Sequence, residues 1–492
     1  IPENCGCTGS VICGIILSGW NRMKKTKIVC SIGPASSNVE VMSKMVEEGM
    51  DVARINFSHS TEENSNEILS VIKETEKKTG RNIAVLFDTK GPDFRCGLIK
   101  EGGIPLIKDE IVRIVKDDIT GDNGIFTVNY KDALDKINVG NIILIDDALM
   151  RLEVVAKDNS SLSCKVIDGG VLTSKKGINV PGVNLGLSFI SEADLKDIKY
   201  ACSHDGDFLA LSFVETSENV EDIRRILQEN GAEDMSIISK IETKRALENL
   251  DAIIDASDGI MVARGDLGVE VDVERLPIIQ KDMIKRCREK GKFVIVATEM
   301  LASMYESARP TRAEVTDISN AVLDGTDAVM LSGESTVGKH PIEAVKYMAR
   351  ICEEAERNPR YATKFERKNT KSITERIGEA VLTSAESMDI KAIVVPTSGG
   401  HSASVMSNLR PETMILAICP NEKVARKLAI NYGIVTEIVN IDDNDLDDMV
   451  YHCRKEAIKF LNLQEKDVII ITGGIHVGRK VKQTNFLKIE EI

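Results

Sequence analysis

Residues 237–242 read IISKIE, an apolar run that carries Lys240 and Glu242 two positions apart. On a strand both side chains leave the same face. Taken alone, they read as a salt bridge on a solvated strand face. Other short apolar runs, however, end in residues that also do chemistry: Arg54, Asn56, Ser58 and His59; Asp88 and Thr89; Arg264, Gly265 and Asp266; Thr298; Ser332 and Glu334. Glu242 and Asp266 are hard oxygen donors of the kind Mg²⁺ or Mn²⁺ takes while keeping water or substrate oxygens in its shell. Arg54, Lys240 and the glycine-containing turn after Arg264 offer positive charge and backbone N–H groups to an anion. Metal, cations and backbone donors at one mouth point to phosphoryl transfer, which depends on positioning and charge stabilisation. Two other readings stay open on these residues: a rim of structural ion pairs, and a lyase or aldolase that stabilises an enolate with the same groups.

The elements that must position these residues are legible as alternation. Eight runs, KIVCSIG, DVARINFSH, IAVLFDTKG, DFLALSF, IISKIE, GIMVARGD, FVIVATEM and DAVMLSGE, are mostly separated by helical patterns such as VEVMSKMVEEG and ENVEDIRRILQENG that close on glycine. Eight such units predict a (β/α)₈ TIM barrel, an α/β fold whose chemistry sits at the C-terminal ends of its strands. The third unit is interrupted: residues 91–187, rich in β-branched residues and glycine, read as an inserted small β domain, a lid able to close over the mouth. The barrel then occupies 23–90 and 188–360, and 361–492 carry a second α/β region built on KAIVVPTSGG, MILAICP, IVTEIV and DVIIITGG. Met23 opens MKKTKIVCSIGP, so residues 1–22 read as a disordered leader.

Composition narrows the class. The chain has 492 residues, enough for about three domains. Its net charge of −14 argues against a general grip on nucleic acid or on an anionic membrane. The 11 cysteines are scattered rather than paired at zinc spacing, which fits reduced thiols in a cytoplasmic protein.

In sequence order, TKIVCSIGPAS, MDVARINFSH, LFDTKGP, IISKIE, MVARGDLGVE, ATEMLASM, RPTRAEVTDISNAVLDGTDAVMLSGES and HPIEAV resemble the pyruvate kinase family, and the match runs from about Lys24 to the C-terminus. The resemblance implies a barrel with an inserted β lid and a C-terminal α/β domain. It also implies phosphoryl transfer from phosphoenolpyruvate to ADP, giving pyruvate and ATP, with Mg²⁺ or Mn²⁺ and K⁺. Carried over position by position, Glu242 and Asp266 would hold the divalent metal, and Asn56, Ser58, Asp88 and Thr89 the K⁺. Arg54 and Lys240 would meet the phosphoryl group. Ala263, Arg264, Gly265 and Thr298 would hold the substrate, the first three through their backbone. Asn56, His59, Arg95 and Lys176 would contact the nucleotide, and Thr298, Ser332 and Glu334 would line a water relay that protonates the enolate. The family resemblance also implies a homotetramer.

Several residues depart from the family pattern. Asp93 stands where K⁺-dependent members carry Glu, which favours K⁺ dependence. Glu299 replaces a Gln and adds a negative charge beside the site. GLSFISEAD, at the exit of the insert, lacks the usual proline. In the C-terminal region TSGGHSA, with Thr397, Ser398, Gly399, Gly400, His401 and Ser402, and TGGIHVGRK resemble loops that bind a sugar-phosphate effector. There His401 takes the place of a common Arg and Gly399 that of a common Ser.

Overall fold

The computed structural model describes residues 24–363, 372–439, 446–474 and 483–492. The expected leader and most of TGGIHVGRK lie outside them. The described residues divide into two compact units, one formed by those of 24–87, 206–208 and 284–492 and the other by 88–205 and 209–283.

Three strands open the chain: β1 (Lys27–Ser31), β2 (Val52–Asn56) and β3 (Ala84–Asp88). The insert follows with β4 (Ile104–Leu106), β5 (Ile111–Val115), β6 (Ile125–Thr127), β7 (Ile142–Ile145), β8 (Met150–Lys157), β9 (Ser161–Asp168), β10 (Gly170–Leu172) and β11 (Ile178–Asn179). Next come β12 (Phe208–Leu211), β13 (Ser236–Ile241), β14 (Gly259–Ala263), β15 (Phe293–Ala297) and β16 (Ala328–Leu331). Strands β1–β3 and β12–β16 close into one barrel in the order β1-β16-β15-β14-β13-β12-β3-β2. Each corresponds to one of the eight apolar runs. They read as continuous hydrophobic stretches because parallel strands in such a barrel are covered on both faces; β1, β3, β12 and β14 are buried at every position.

Local chemistry sets the helix ends. The Asn38 side chain accepts the Val41 N–H at the start of Val39–Glu48, and Gly49 ends that helix at φ 120°. Thr311 and Glu314 form a reciprocal capping box on Arg312–Asp324. One expectation changes: the residues after β14 are not an open turn, since Arg264–Glu270 is a short helix with Asp266 in its first turn.

The insert forms a six-stranded sheet, β11-β7-β8-β9-β5-β6, and a two-stranded sheet of β10 and β4. It has its own core, which includes Phe94, Phe126, Ile143, Leu152 and Val166. The C-terminal sheet runs β19-β18-β17-β20-β21, with β17 (Ile390–Pro396), β18 (Ile415–Cys419), β19 (Ile434–Ile438), β20 (Val468–Gly473) and β21 (Phe486–Glu491). The sequence pattern shows four of these. The fifth, β21, pairs antiparallel along β20, and its burial is too uneven to leave a clear alternation.

Candidate functional site

In the unit that holds the insert, several of the candidate side chains gather on Lys240. Its ammonium is 2.8 Å from Glu242 Oε1 and 3.3 Å from Asp88 Oδ1, and it donates to Ser212 Oγ at 2.7 Å. Asp88 and Glu242 are 0% and 1% exposed, so both carboxylates depend on this cation for neutralisation. Ser212 is held in turn: its hydroxyl donates to Thr89 O at 2.7 Å and its N–H to Thr89 Oγ1 at 3.2 Å. Phe213, left-handed at φ 56°, turns its N–H onto Glu242 Oε2 at 2.6 Å.

Glu242 carries the clearest electrostatic signal. Burial pushes its carboxyl up to about 7 against the pull of Lys240, and the like charge of Asp266 adds to the rise. Its Oε1, though close to the ammonium, accepts no well-aligned hydrogen bond. A buried carboxylate whose proton affinity is raised by burial and by a neighbouring like charge is part of a donor set that a divalent cation would relieve. No group of three or more His, Cys, Asp or Glu stands ready for a metal among the described residues. Two carboxylates nevertheless suit Mg²⁺, which keeps several waters or substrate oxygens. The Arg264 side chain is buried, with Nη1 3.5 Å from Gln280 Oε1.

The insert brings its own charges. Arg95 pairs through Nε with Asp93 and donates from Nη1 to Lys175 O at 2.8 Å, and Lys176 lies 2.9 Å from Asp146 Oδ1. The β7–β8 hairpin tip, Asp146, Asp147 and Ala148, is left-handed at all three positions. Partial burial, then the like charges of Asp266 and Asp146, raises the Asp147 carboxyl. The exit without its proline is held by another device. Asp194 accepts the Gly91 N–H at 3.0 Å, the Ser191 N–H at 3.1 Å and the Ser191 hydroxyl at 2.5 Å, so one buried carboxylate ties the two ends of the insert together.

In the other unit, Ser31 and Arg54 are register partners on β1 and β2, and Arg54 Nη1 donates to Ser31 Oγ at 2.6 Å. Asn56 Oδ1 accepts the Ser58 N–H, which shapes the turn that exposes Ser58 and His59. After β15, Thr298 and Glu299 are both left-handed, at φ 69° and 53°, and Thr298 Oγ1 donates to Ala297 O at 2.7 Å. Neither is glycine, so this turn costs on the order of 1–3 kcal/mol per residue and persists only because its surroundings hold it. Glu334, 1% exposed, is part of that support: Oε1 accepts the Leu301 N–H at 3.0 Å and Oε2 the Ser332 N–H at 2.8 Å. Both its oxygens therefore join the turn after β15 to the turn after β16.

The proposed effector loop is a compact turn at the end of β17. Thr397 Oγ1 accepts the Gly400 N–H at 3.0 Å, Gly400 sits at φ 89°, and the Ser402 hydroxyl meets that of Thr484 at 2.8 Å. Ser398, Gly399 and His401 are exposed.

Two positions that hold the candidate site and the insert escape the sequence reading. Ser212 is the next-to-last residue of the run DFLALSF, and only its place just past a strand end marks it. Asp194 lies in a helical pattern, where SEAD reads as an ordinary start signal.

A family model described as the pyruvate kinase barrel domain matches residues 23–345, and one described as the pyruvate kinase alpha/beta domain matches residues 375–490. The chain is 41% identical over 472 residues to a pyruvate kinase of Bacillus licheniformis, covering 95% of this chain and 80% of that one. It is 39% identical over 478 residues to a pyruvate kinase of Clostridium acetobutylicum, covering 96% of this chain and all of that one. Among solved structures, a pyruvate kinase from Cryptosporidium parvum aligns at a TM-score of 0.89 and 33% identity, covering 99% of this chain and 100% of that one.

Proposed function

The chain belongs to the pyruvate kinase family of phosphotransferases, and we propose that it transfers the phosphoryl group of phosphoenolpyruvate to ADP, giving pyruvate and ATP, with a divalent cation and K⁺. The observation that carries this reading is the Lys240 ammonium fixed among Glu242, Asp88 and Ser212. A cation already oriented needs no reorganisation when charge spreads over the oxygens of a phosphoryl group in flight. Arg54, oriented by Ser31, serves the same group. Glu242 and Asp266 would hold Mg²⁺ or Mn²⁺, which would further neutralise substrate oxygens, and Asn56, Ser58, Asp88 and Thr89 would hold K⁺.

The backbone of Ala263 to Gly265 and the Thr298 hydroxyl hold the enolate end. When the phosphoryl leaves, the enolate carbon takes a proton through water beside Thr298 and Ser332. Glu334, with both oxygens occupied by amides, keeps those two turns in place. Arg95 and Lys176 on the insert, with Asn56 and His59, meet the nucleotide phosphates. The Thr397–Ser402 turn takes a sugar phosphate as effector, and the enzyme works as a cytoplasmic homotetramer. No helix among the described residues is long and apolar enough to cross a membrane.

The test is a coupled assay with phosphoenolpyruvate and ADP, run with Mg²⁺, with and without K⁺, and against a panel of sugar phosphates. ADP-dependent pyruvate that falls when a large organic cation replaces K⁺ is expected. No ADP-dependent pyruvate under any of these conditions would refute the reading and favour a lyase or aldolase on the same scaffold. Metal-dependent thermal stabilisation without turnover would point to a binding protein.

A further inference from the structure

Tyr305 ends the short 3₁₀ helix Ala302–Tyr305, seven residues after Thr298. Its phenol is wedged against Gly333: a Cβ built on that glycine would lie 2.0 Å from the Tyr305 hydroxyl oxygen and 2.2 Å from the ring edge. Gly333 stands between Ser332 and Glu334, in the turn that ends β16. The Gly333 amide faces the phenol oxygen, and Glu334 and Glu299 are the carboxylates whose charge falls on it. The backbone of Tyr305 is fastened as well, since its carbonyl accepts the Lys339 N–H at 2.9 Å.

Two ties therefore join the turn that carries Thr298 to the turn that carries Ser332. Glu334 joins them through the Leu301 and Ser332 amides. Tyr305, itself 37% exposed, joins them through its contact with Gly333. The left-handed pair Thr298 and Glu299 immediately precedes both ties in the chain, two residues before Leu301 and six before Tyr305. A turn held against its intrinsic preference depends on such clamps, and a proton-transfer path through it is sensitive to small displacements.

We propose that Tyr305 is a positioning residue for the protonation of the enolate, its phenol locking the Ser332–Glu334 turn in register with Thr298. This rests on the phosphoryl-transfer reading above. In the step concerned, the electron pair of the enolate double bond forms the new C–H bond and the enolate oxygen becomes the ketone of pyruvate. The O–H bond of the donating water breaks, and the relay is refilled from solvent. Tyr305 does not give the proton. It sets the distance between the Thr298 and Ser332 hydroxyls across which the donating water is held.

The experiment compares Tyr305→Phe and Tyr305→Ala with the unsubstituted enzyme. Three quantities are read: kcat and KM for phosphoenolpyruvate, single-turnover ATP formation, and exchange of the pyruvate methyl hydrogens in D₂O by proton NMR with Mg²⁺, K⁺ and ATP present. Exchange should fall about 10- to 100-fold in Tyr305→Ala and less in Tyr305→Phe, which keeps the ring against Gly333. Single-turnover ATP formation and KM should stay within about threefold in both. Exchange within twofold of the unsubstituted enzyme in both variants would overturn the proposal. So would an equal loss of exchange and ATP formation in Tyr305→Phe, because that pattern marks a merely structural residue. If Tyr305→Ala fails to fold, Tyr305→Phe decides alone by the same ratio. Absence of ADP-dependent turnover in the unsubstituted chain would instead overturn the proposed function itself.

Discussion

Replacing Lys240 by Met keeps the length of the stem and removes the charge. The ammonium lies 2.8 Å from Glu242 Oε1 and 3.3 Å from Asp88 Oδ1. At an effective dielectric of about 20, one such pair is worth about 5 kcal/mol of gross Coulomb energy. Removing one partner of a buried pair costs about 3–5 kcal/mol, since the orphaned carboxylates recover part of the loss by taking up protons. Stability should fall by that order in a denaturant titration. Catalysis should fall for a separate reason. A fixed donor aimed at charge that develops in the transition state is worth about 3–4 kcal/mol, or about 10²–10³ in kcat. Phosphoenolpyruvate affinity should stay within about tenfold, because the interaction is strongest in the transition state. The coupled assay gives kcat and KM together. A Lys240→Met enzyme with kcat within tenfold of the unsubstituted one would refute the assignment, whatever its stability.

Three further outcomes follow from the geometry. Asp194→Ala should destabilise the chain by about 2–4 kcal/mol, because it strips two backbone N–H groups and a hydroxyl of one buried acceptor; a loss below about 0.5 kcal/mol in denaturant titration would count against the tether. Ala148→Gly should stabilise the β7–β8 hairpin by about 1 kcal/mol, because an exposed residue at φ 64° is relieved of its Cβ; amide exchange in β7 and β8 should slow about fivefold, and faster exchange would contradict it. Asp158 accepts the N–H and hydroxyl groups of Ser160 and Ser161, which hold its carboxyl down at about 2. Because the folded value is depressed, its contribution is fully present above about 3.9, the ordinary value, and is lost as pH falls towards 2. An NMR titration midpoint near 3.9 would refute it.

Much of this protein was legible in its sequence because the relevant forces are local. Apolar runs of strand length, glycines such as Gly49 that take positive φ, and caps such as Asn38 and Thr311 act over a few residues, so they predict eight strands and their helices in order. Residue type together with place at the end of an apolar run marked Lys240, Glu242 and Asp266, since alone the first two read as an ordinary salt bridge. What the sequence could not show depends on contacts between residues far apart in the chain. Ser212 becomes an acceptor for Lys240 only because barrel closure sets β12 beside β13. Asp194 closes a span of 103 residues to Gly91. Glu334, 33 residues from Leu301, becomes a clamp between turns because both its oxygens find amides there. Sequence spacing carries the period of an element and the chemistry of its ends. Which ends meet, and at what distance, is decided by the closure that buries the core, and there the tertiary structure alone turns a set of charges into a site.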